Sequence, residues 1–282
     1  MHSLSHDRPF GGCGADIRSA REAVTTGGAA SRRERWIYRS VQLACAAALL
    51  LLWHVATRGR WVNPILLPSL TDSWDEFVML IASGSFWPSL RVTLTELVIA
   101  FAIAASLGCV IGYAISLTRF TVRMFDPFFA GLYSIPAILL FPLYVLFFGL
   151  DEGSKIAIGA TIAFFPVALN TSAGYDYVDK IYVTAAKSMG ASPVQMFWSV
   201  MLPAAFPVVL TGLRIGFILA FLSILGTETI ASISGLGHQI VTYSERIEPA
   251  KMYAYIFLAI IIAFLLNAFV SFVERRARRG FA

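Results

Sequence analysis

Residues 184–203 read TAAKSMGASPVQMFWSVMLP and form a polar interruption between two strongly apolar segments. Gly190 lies where helices commonly end in a left-handed residue, and Ser192-Pro193 is typical of an N-cap followed by proline at the first helical position. Apolar residues at helical spacing predict two short amphipathic helices: Ile181, Tyr182, Ala185, Ala186 and Met189 in the first, and Val194, Phe197, Trp198 and Met201 in the second. A plain connecting loop needs none of this, so we expect the interruption to be ordered and to dock onto a partner.

The composition of the chain predicts a membrane protein. Its 282 residues are 57% apolar and only 14% charged, and the mean hydropathy is +0.72. An ordinary soluble domain is less apolar, so we expect an all-α, polytopic membrane protein. The basic residues border apolar segments instead of forming one patch, which argues against nucleic-acid binding. The cysteines are too scattered to imply a disulfide framework.

Six apolar runs are long enough to cross a hydrocarbon core about 30 Å thick as helices. We predict a disordered cytoplasmic tail (1–35), a first span (36–57), a periplasmic segment (58–89), a five-helix core (90–274) with a cytoplasmic loop at 176–204, and a basic cytoplasmic tail (275–282). The core spans are expected at 90–117, 128–149, 156–173, 206–230 and 252–273.

Local signals refine this plan. Pro136 and Pro142 are expected to kink the span at 128–149, which should then face protein or a water-filled path. Ala104, Gly108 and Gly112 recur every four residues, a pattern that lets membrane helices pack closely. Outside the core, residues 71–83 predict an amphipathic helix at the membrane surface.

The distribution of basic residues predicts the orientation. If both termini lie on the side of the interruption, that side holds fifteen basic residues. The opposite side holds six: Arg58, Arg60, Arg91, Lys155, Arg246 and Lys251. The positive-inside rule therefore places the interruption and both termini in the cytoplasm.

The interruption resembles a known signature. Permease subunits of binding-protein-dependent ABC importers carry Glu-Ala-Ala, three residues, Gly, nine residues and Ile-x-Leu-Pro. The matching positions here are Ala185, Ala186, Gly190, Leu202 and Pro203, while Thr184 replaces the glutamate and Val200 the isoleucine. The motifs at 134–136, 148–155 and 211–214 resemble the nitrate, sulfonate and taurine branch. The resemblance covers residues 65–275.

The resemblance implies a function and a set of partners. It implies a permease with the type I ABC importer fold in the bacterial inner membrane. Such a permease takes a small anionic solute, such as a sulfonate, nitrate or similar organic acid, from an extracytoplasmic solute-binding protein. Two ATPase subunits would bind ATP and Mg, whereas this chain would bind no cofactor and lacks the motif G-x-x-x-x-G-K-[ST]. Because one chain carries one such loop, we expect a homodimer surrounded by membrane lipid.

Two sets of site residues follow. The loop residues expected to couple to the ATPases are Thr184, Ala185, Ala186, Gly190, Val194, Phe197, Trp198, Leu202 and Pro203. The candidates for the translocation path are Ser134, Pro136, Tyr144, Asn170, Arg214 and Glu228. For Arg214 we favour a structural role, because it belongs to a pattern shared whatever the cargo. Glu228 is expected at an interface or gate, and Glu96 is expected near a helix N-terminus, where the dipole accommodates a carboxylate.

Catalytic and metal sites are not predicted. The histidines are scattered, and neither H-E-x-x-H nor G-x-S-x-G occurs. The alternative function is a secondary transporter or channel without an ATPase partner, which usually carries more than one buried charge in mid-span. A membrane-embedded enzyme would need a clustered nucleophile or metal set. The identity of the cargo does not follow from this chain, because in the family the binding protein makes most of that selection.

Overall fold

The structure is a computed structural model that describes residues 36–37, 40–45, 47–59, 61–63 and 65–280. The chain divides into two compact units, Met1–Pro64 and Ile65–Ala282. In the first unit helix α1, Ser40–Arg58, coincides with most of the predicted first span. The predicted tail at 1–35 lies outside the described residues.

The second unit consists of helices joined by short connections, and its described part contains no β-strand. Its helices are α2 (Leu70–Ser83), α3 (Trp87–Ser116), α4 (Arg119–Tyr133), α5 (Phe141–Phe148), α6 (Glu152–Asp176), α7 (Lys180–Ser188), α8 (Pro193–Met196), α9 (Leu202–Ile230), α10 (Leu236–Glu245) and α11 (Pro249–Gly280). Among the described residues, five helices are long and apolar enough to span a membrane, or six if the bent pair of α4 and the segment Ala137–Phe148 forms one span. This agrees with the predicted all-α, six-span architecture.

Helices α3, α6 and α9 form the centre of the second unit, and small residues bring them together. Ala104, Gly108 and Gly112 are all buried on α3. A Cβ atom on Gly112 would lie 2.5 Å from the carbonyl oxygen of Ala168 and 2.7 Å from Cβ of Thr171, both on α6. The predicted close packing at this repeat is therefore confirmed, and the partner helix is α6.

The predicted span at 128–149 is wrong as a single kinked helix. α4 starts earlier, at Arg119, where the side chain of Thr118 caps it by accepting a hydrogen bond from the amide of Thr121 (3.1 Å). The axis then bends by 75° at a break after Tyr133. Pro136 explains the break, because a proline disfavours helical geometry in the residue before it. Pro142 causes no kink, since it lies in the first turn of α5, where its missing amide costs no hydrogen bond.

Two further differences are an additional helix, α10, and a longer last helix, α11. The connection between the predicted spans at 206–230 and 252–273 contains a helix, α10, that was not predicted. The last helix, α11, continues to Gly280 through most of the segment predicted as a basic tail, while residues 281–282 lie outside the described part. The helix predicted at 71–83 is present as α2, with Ser69 as its N-cap, while its place at the membrane surface stays a prediction. It packs on α11 through an edge-to-face contact between Phe77 and Phe257.

Candidate functional site

The segment between α6 and α9, here called the coupling segment (residues 177–203), is held by local hydrogen bonds. α7 ends in a pair of bonds that satisfies its last carbonyls: the amide of Ala191 donates to Ala186 O, and that of Gly190 to Lys187 O, both at 3.0 Å. This is the Schellman pattern, and Gly190 has the left-handed φ of 77° that it requires. The predicted helix and its glycine stop are confirmed.

The start of α8 is equally well defined. The amide of Gln195 donates to Ser192 Oγ (3.3 Å), while the amide of Ser192 donates to Gln195 Oε1 (2.9 Å). This reciprocal capping box, with Pro193 in the first turn, confirms the predicted N-cap. The coupling segment therefore has a fixed turn, which can present side chains in a defined direction.

The second predicted helix is not a separate element. α8 continues through a π-helical turn, Phe197–Met201, directly into α9, so that one helix runs over 193–230. The four residues of the predicted stripe do not form one face, because they differ in exposure. Val194 and Trp198 are both more than 60% exposed. Phe197 is half-buried, and its ring also contacts that of Trp198 edge to face, with the centroids 5.3 Å apart.

Phe197 belongs to an aromatic cluster with two spans. Its ring centroid lies 4.9 Å from that of Tyr113 on α3 and 6.1 Å from that of Tyr175 on α6. Met201 and Leu202 pack against the same cluster, together with the buried Ala205 and Val209. Phe197 and Leu202, both predicted to couple to a partner, therefore anchor the coupling segment to the helix bundle in this structure.

The outer surface of the coupling segment carries exposed apolar side chains. Five of them, each more than 60% exposed, are here called the docking face: Ile181, Tyr182, Met189, Val194 and Trp198. Of the other predicted coupling residues, Thr184, Ala185 and Gly190 are exposed, whereas Ala186 and Pro203 are half-buried. Grouped exposed apolar residues are typical of an interaction site.

The six candidates for the path are dispersed, and no hydrogen bond or ion pair joins any two of them in the described part of the chain. Ser134 and Pro136 are exposed at the break after α4. The hydroxyls of Tyr144 and Thr161 are hydrogen-bonded at 2.8 Å and join α5 to α6. The side-chain amide of Asn170 donates to Pro166 O (2.8 Å) within α6.

Arg214 and Glu228 each have partners that hold helices together. Arg214 on α9 forms an ion pair with Glu274 on α11 (3.2 Å), as a structural role requires. Glu228 is 1% exposed; it accepts hydrogen bonds from the Thr93 hydroxyl (2.7 Å) and the Gly237 amide (2.8 Å). Glu228 thereby binds the N-terminus of α10, where a carboxylate is favourable.

Comparison with known proteins decides the family. Residues 104–279 match the family described as binding-protein-dependent transport system inner membrane component. The chain belongs to this family. It is thus an ABC transporter permease, a multi-pass protein of the inner membrane, as its coupling segment predicted.

Relatives place the permease within the family. It is 32% identical over 256 residues to the taurine transport system permease protein of Escherichia coli strain K12, covering 87% of this chain and 93% of that protein. It is 28% identical over 269 residues to the nitrate import permease protein of Synechocystis sp. strain PCC 6803, covering 89% and 96%. The predicted nitrate, sulfonate and taurine branch is confirmed.

A solved structure supports the fold. A chain of the methionine ABC transporter in an inward-facing conformation superposes with a TM-score of 0.56 at 20% sequence identity, covering 68% of this permease and 94% of that chain. The predicted type I ABC importer permease fold is confirmed.

A buried ion pair of the permease escaped sequence reasoning. Lys155 Nζ contacts Glu96 Oε1, with the two side chains 1% and 0% exposed, and also donates to Ser232 Oγ (3.1 Å). The expected help from a helix dipole at Glu96 is wrong, because Glu96 lies in the third turn of α3 and the dipole acts mainly within the first. Lys155 was assigned to an outer loop, but it lies inside α6. No spacing rule links two residues in separate helices.

Proposed function

We propose that this permease imports a small anionic solute, driven by two ATPase subunits that dock on its coupling segment. The observation that carries the proposal is the coupling segment itself: a turn fixed by a Schellman motif and a capping box, which presents a docking face of apolar side chains. Such a rigid apolar surface on a polar connection fits a protein partner better than solvent.

The two sides of the coupling segment have different tasks in this proposal. Val194 and Trp198 point outward and contact the ATPase. Phe197 points inward and transmits the movement of the ATPase to α3 and α6 through Tyr113 and Tyr175. A rigid connection is needed here, since a flexible segment would absorb the motion.

The orientation follows from charge. With Lys155 buried, the side opposite the coupling segment keeps five of its six assigned basic residues, so the bias toward the side of the coupling segment increases. We therefore place the coupling segment and both termini in the cytoplasm. ATP and Mg are then bound by the ATPases, with the solute-binding protein on the opposite side.

The class of cargo rests on the relatives. The two relatives are named for the transport of taurine and of nitrate. Both compounds carry a small oxyanion group, and we extend that class, a sulfonate or similar small anion, to this permease. The path is expected along the break after α4, near Ser134, Pro136 and Tyr144, with Asn170 on the neighbouring α6. For Arg214 and Glu228, the bonds between helices favour structural roles.

A secondary transporter is the alternative, because Glu96, Lys155 and Glu228 are buried charges. Their positions argue against a relay across the membrane. Lys155 lies in the first turn of α6 and Glu228 in the last turn of α9, so the charges gather at one end of the bundle. A proton or ion relay would need such groups along the span.

Retention of the ATPase tests the proposal. The permease is co-expressed with its cognate ATPase and purified through a tag on the permease, and the bound ATPase is quantified. We expect Trp198→Ala to lower retention at least tenfold, because a central tryptophan commonly contributes about 2 kcal/mol or more to an interface. Trp74→Ala is the matched control, since Trp74 is also exposed but lies on α2. Equal retention by both variants would contradict the docking role. The mass of the complex separately tests the homodimer, which predicts two copies of the permease.

A further inference from the structure

An apolar groove runs between α9 and α11, with Phe101 of α3 also in its wall. Its volume is about 240 Å³. The lining is almost entirely hydrocarbon: Phe101, Leu210, Leu213, Phe217, Phe269, Val270 and Val273. The polar members are Arg214 on α9 and Glu274 on α11, which form an ion pair. Glu274 is the last lining residue along α11 and marks the polar end of the groove.

This polar end lies where the apolar part of α11 stops. Residues 252–273 carry no charge, and at about 1.5 Å per residue they are long enough to cross the hydrocarbon core. Glu274 is the first charged residue after that run. Arg278, one turn further, donates to Pro207 O (3.1 Å) near the start of α9, so this end of the groove is the end that carries the coupling segment. The groove therefore extends from the level of the lipid head groups into the hydrocarbon layer.

The charges at the polar end do not balance. Arg214 and Arg278 bind opposite oxygens of one carboxylate, that of Glu274, at 3.2 Å and 2.8 Å. The two arginine side chains remain 38% and 43% exposed, whereas Glu274 is 12% exposed. Arg275 and Arg276, both exposed, add further positive charge. Arg214, Arg278 and Glu274 together carry one net positive charge, which favours an anion, and a guanidinium matches the oxygens of a phosphate group.

We infer that this groove binds an anionic phospholipid. One acyl chain lies along the apolar lining, and the phosphate contacts Arg214 and Arg278. The inference depends on the geometry of the groove and its charge, and not on the nature of the cargo or the ATPase. Basic pockets between membrane helices at this level are suited to anionic head groups.

The test uses the full-length permease in detergent with phosphatidylglycerol and phosphatidylcholine offered together. Native mass spectrometry measures how much of each lipid stays bound. Arg278→Gln removes a charge-assisted contact to the phosphate, and we expect it to lower the affinity for phosphatidylglycerol about tenfold. Val270→Phe keeps every charge but fills the groove, and it should lower retention as well. Arg123→Gln removes the same charge from the exposed surface of α4 and should retain the wild-type amount.

Elution on size exclusion confirms that each variant is folded. Preferential retention of phosphatidylglycerol by the wild type and Arg123→Gln, with loss in both other variants, supports the site. Wild-type retention by Arg278→Gln or Val270→Phe overturns it, and so does equal retention of phosphatidylcholine. Cross-linking through Val270→Cys covers the other occupants: a link to a second copy, or to α1, would mean that protein fills the groove and would also overturn the inference.

Discussion

Gly112→Ala tests the packing of α3 against α6 at the centre of the second unit. The added Cβ would lie 2.5 Å from the carbonyl oxygen of Ala168 and 2.7 Å from Cβ of Thr171. Ordinary contact needs about 3.5 Å, so α3 and α6 must separate locally by roughly 1 Å. The carbonyl oxygen of Ala168 is part of the backbone of α6, and Cβ of Thr171 is bonded directly to it. Neither atom is the end of a flexible side chain that could move aside, so the clash cannot be relieved without moving a helix.

The expected cost follows from these distances. Overpacking of this kind lowers the free energy of unfolding by about 1–3 kcal/mol, while the higher helix propensity of alanine raises it by up to about 1 kcal/mol. Gly226→Ala is the matched control, because Gly226 is also helical but has nothing within 4 Å of the added atom. The control receives the propensity gain without the clash, so it should be slightly more stable than the wild type.

Thermal unfolding of the purified permease in detergent, followed by tryptophan fluorescence, measures the difference. At about 2–4 °C per kcal/mol for a chain of this size class, we expect Gly112→Ala to melt several degrees below the wild type. Gly226→Ala should melt at or slightly above the wild-type temperature. If Gly112→Ala is as stable as Gly226→Ala, the two helices do not touch at this point and the packing described here is incorrect.

Three further predictions concern the coupling segment, the buried pair and the path. Gly190 has a φ of 77°, so Gly190→Val should cost about 1–2 kcal/mol of conformational free energy in the coupling segment. The variant should reach a normal level in the membrane but stimulate ATP hydrolysis less, whereas Gly190→Asn should keep the stimulation. Equal rates of stimulated ATP hydrolysis in the two variants would refute this. Lys155→Met leaves Glu96 buried without its partner and should cost about 3–5 kcal/mol, measured as a lower melting temperature, with most of the loss recovered by adding Glu96→Leu. Ser134→Cys and Tyr144→Cys should react with water-soluble thiol reagents in a cargo-sensitive way, and labelling as slow as at lipid-facing sites would count against the path.

The features that sequence reasoning predicted well are local ones. The stop at Gly190 and the N-cap at Ser192 depend on residues within one helical turn, so their bonds can be anticipated from spacing alone. The glycine repeat on α3 also has a fixed meaning in membrane helices, although nothing in the repeat indicates that α6 is the partner.

The features that sequence reasoning missed depend on contacts between distant segments or on backbone irregularity. The apolar stripe at 194–201 was predicted as one face of a separate helix, whereas Val194 and Trp198 are exposed and Phe197 and Met201 pack on the helix bundle, in a segment that contains a π turn. α10 has no side-chain cap of its own, because Thr93 on α3 and Glu228 on α9 bind its first amides. The pairing of Glu96 with Lys155 likewise joins two separate helices, and each residue alone resembles a charge at a span boundary.

ATP-dependent uptake by the reconstituted permease tests whether it is an ATP-driven importer. The permease is reconstituted into liposomes with its cognate ATPase and solute-binding protein, and labelled taurine, an alkanesulfonate and nitrate are offered. We expect one of these solutes, each of which carries a small oxyanion group, to accumulate only when ATP and the ATPase are present. Trp198→Ala should abolish this accumulation, whereas Trp74→Ala should not. Uptake of the same size without ATP or the ATPase would contradict the account and identify a secondary transporter or channel.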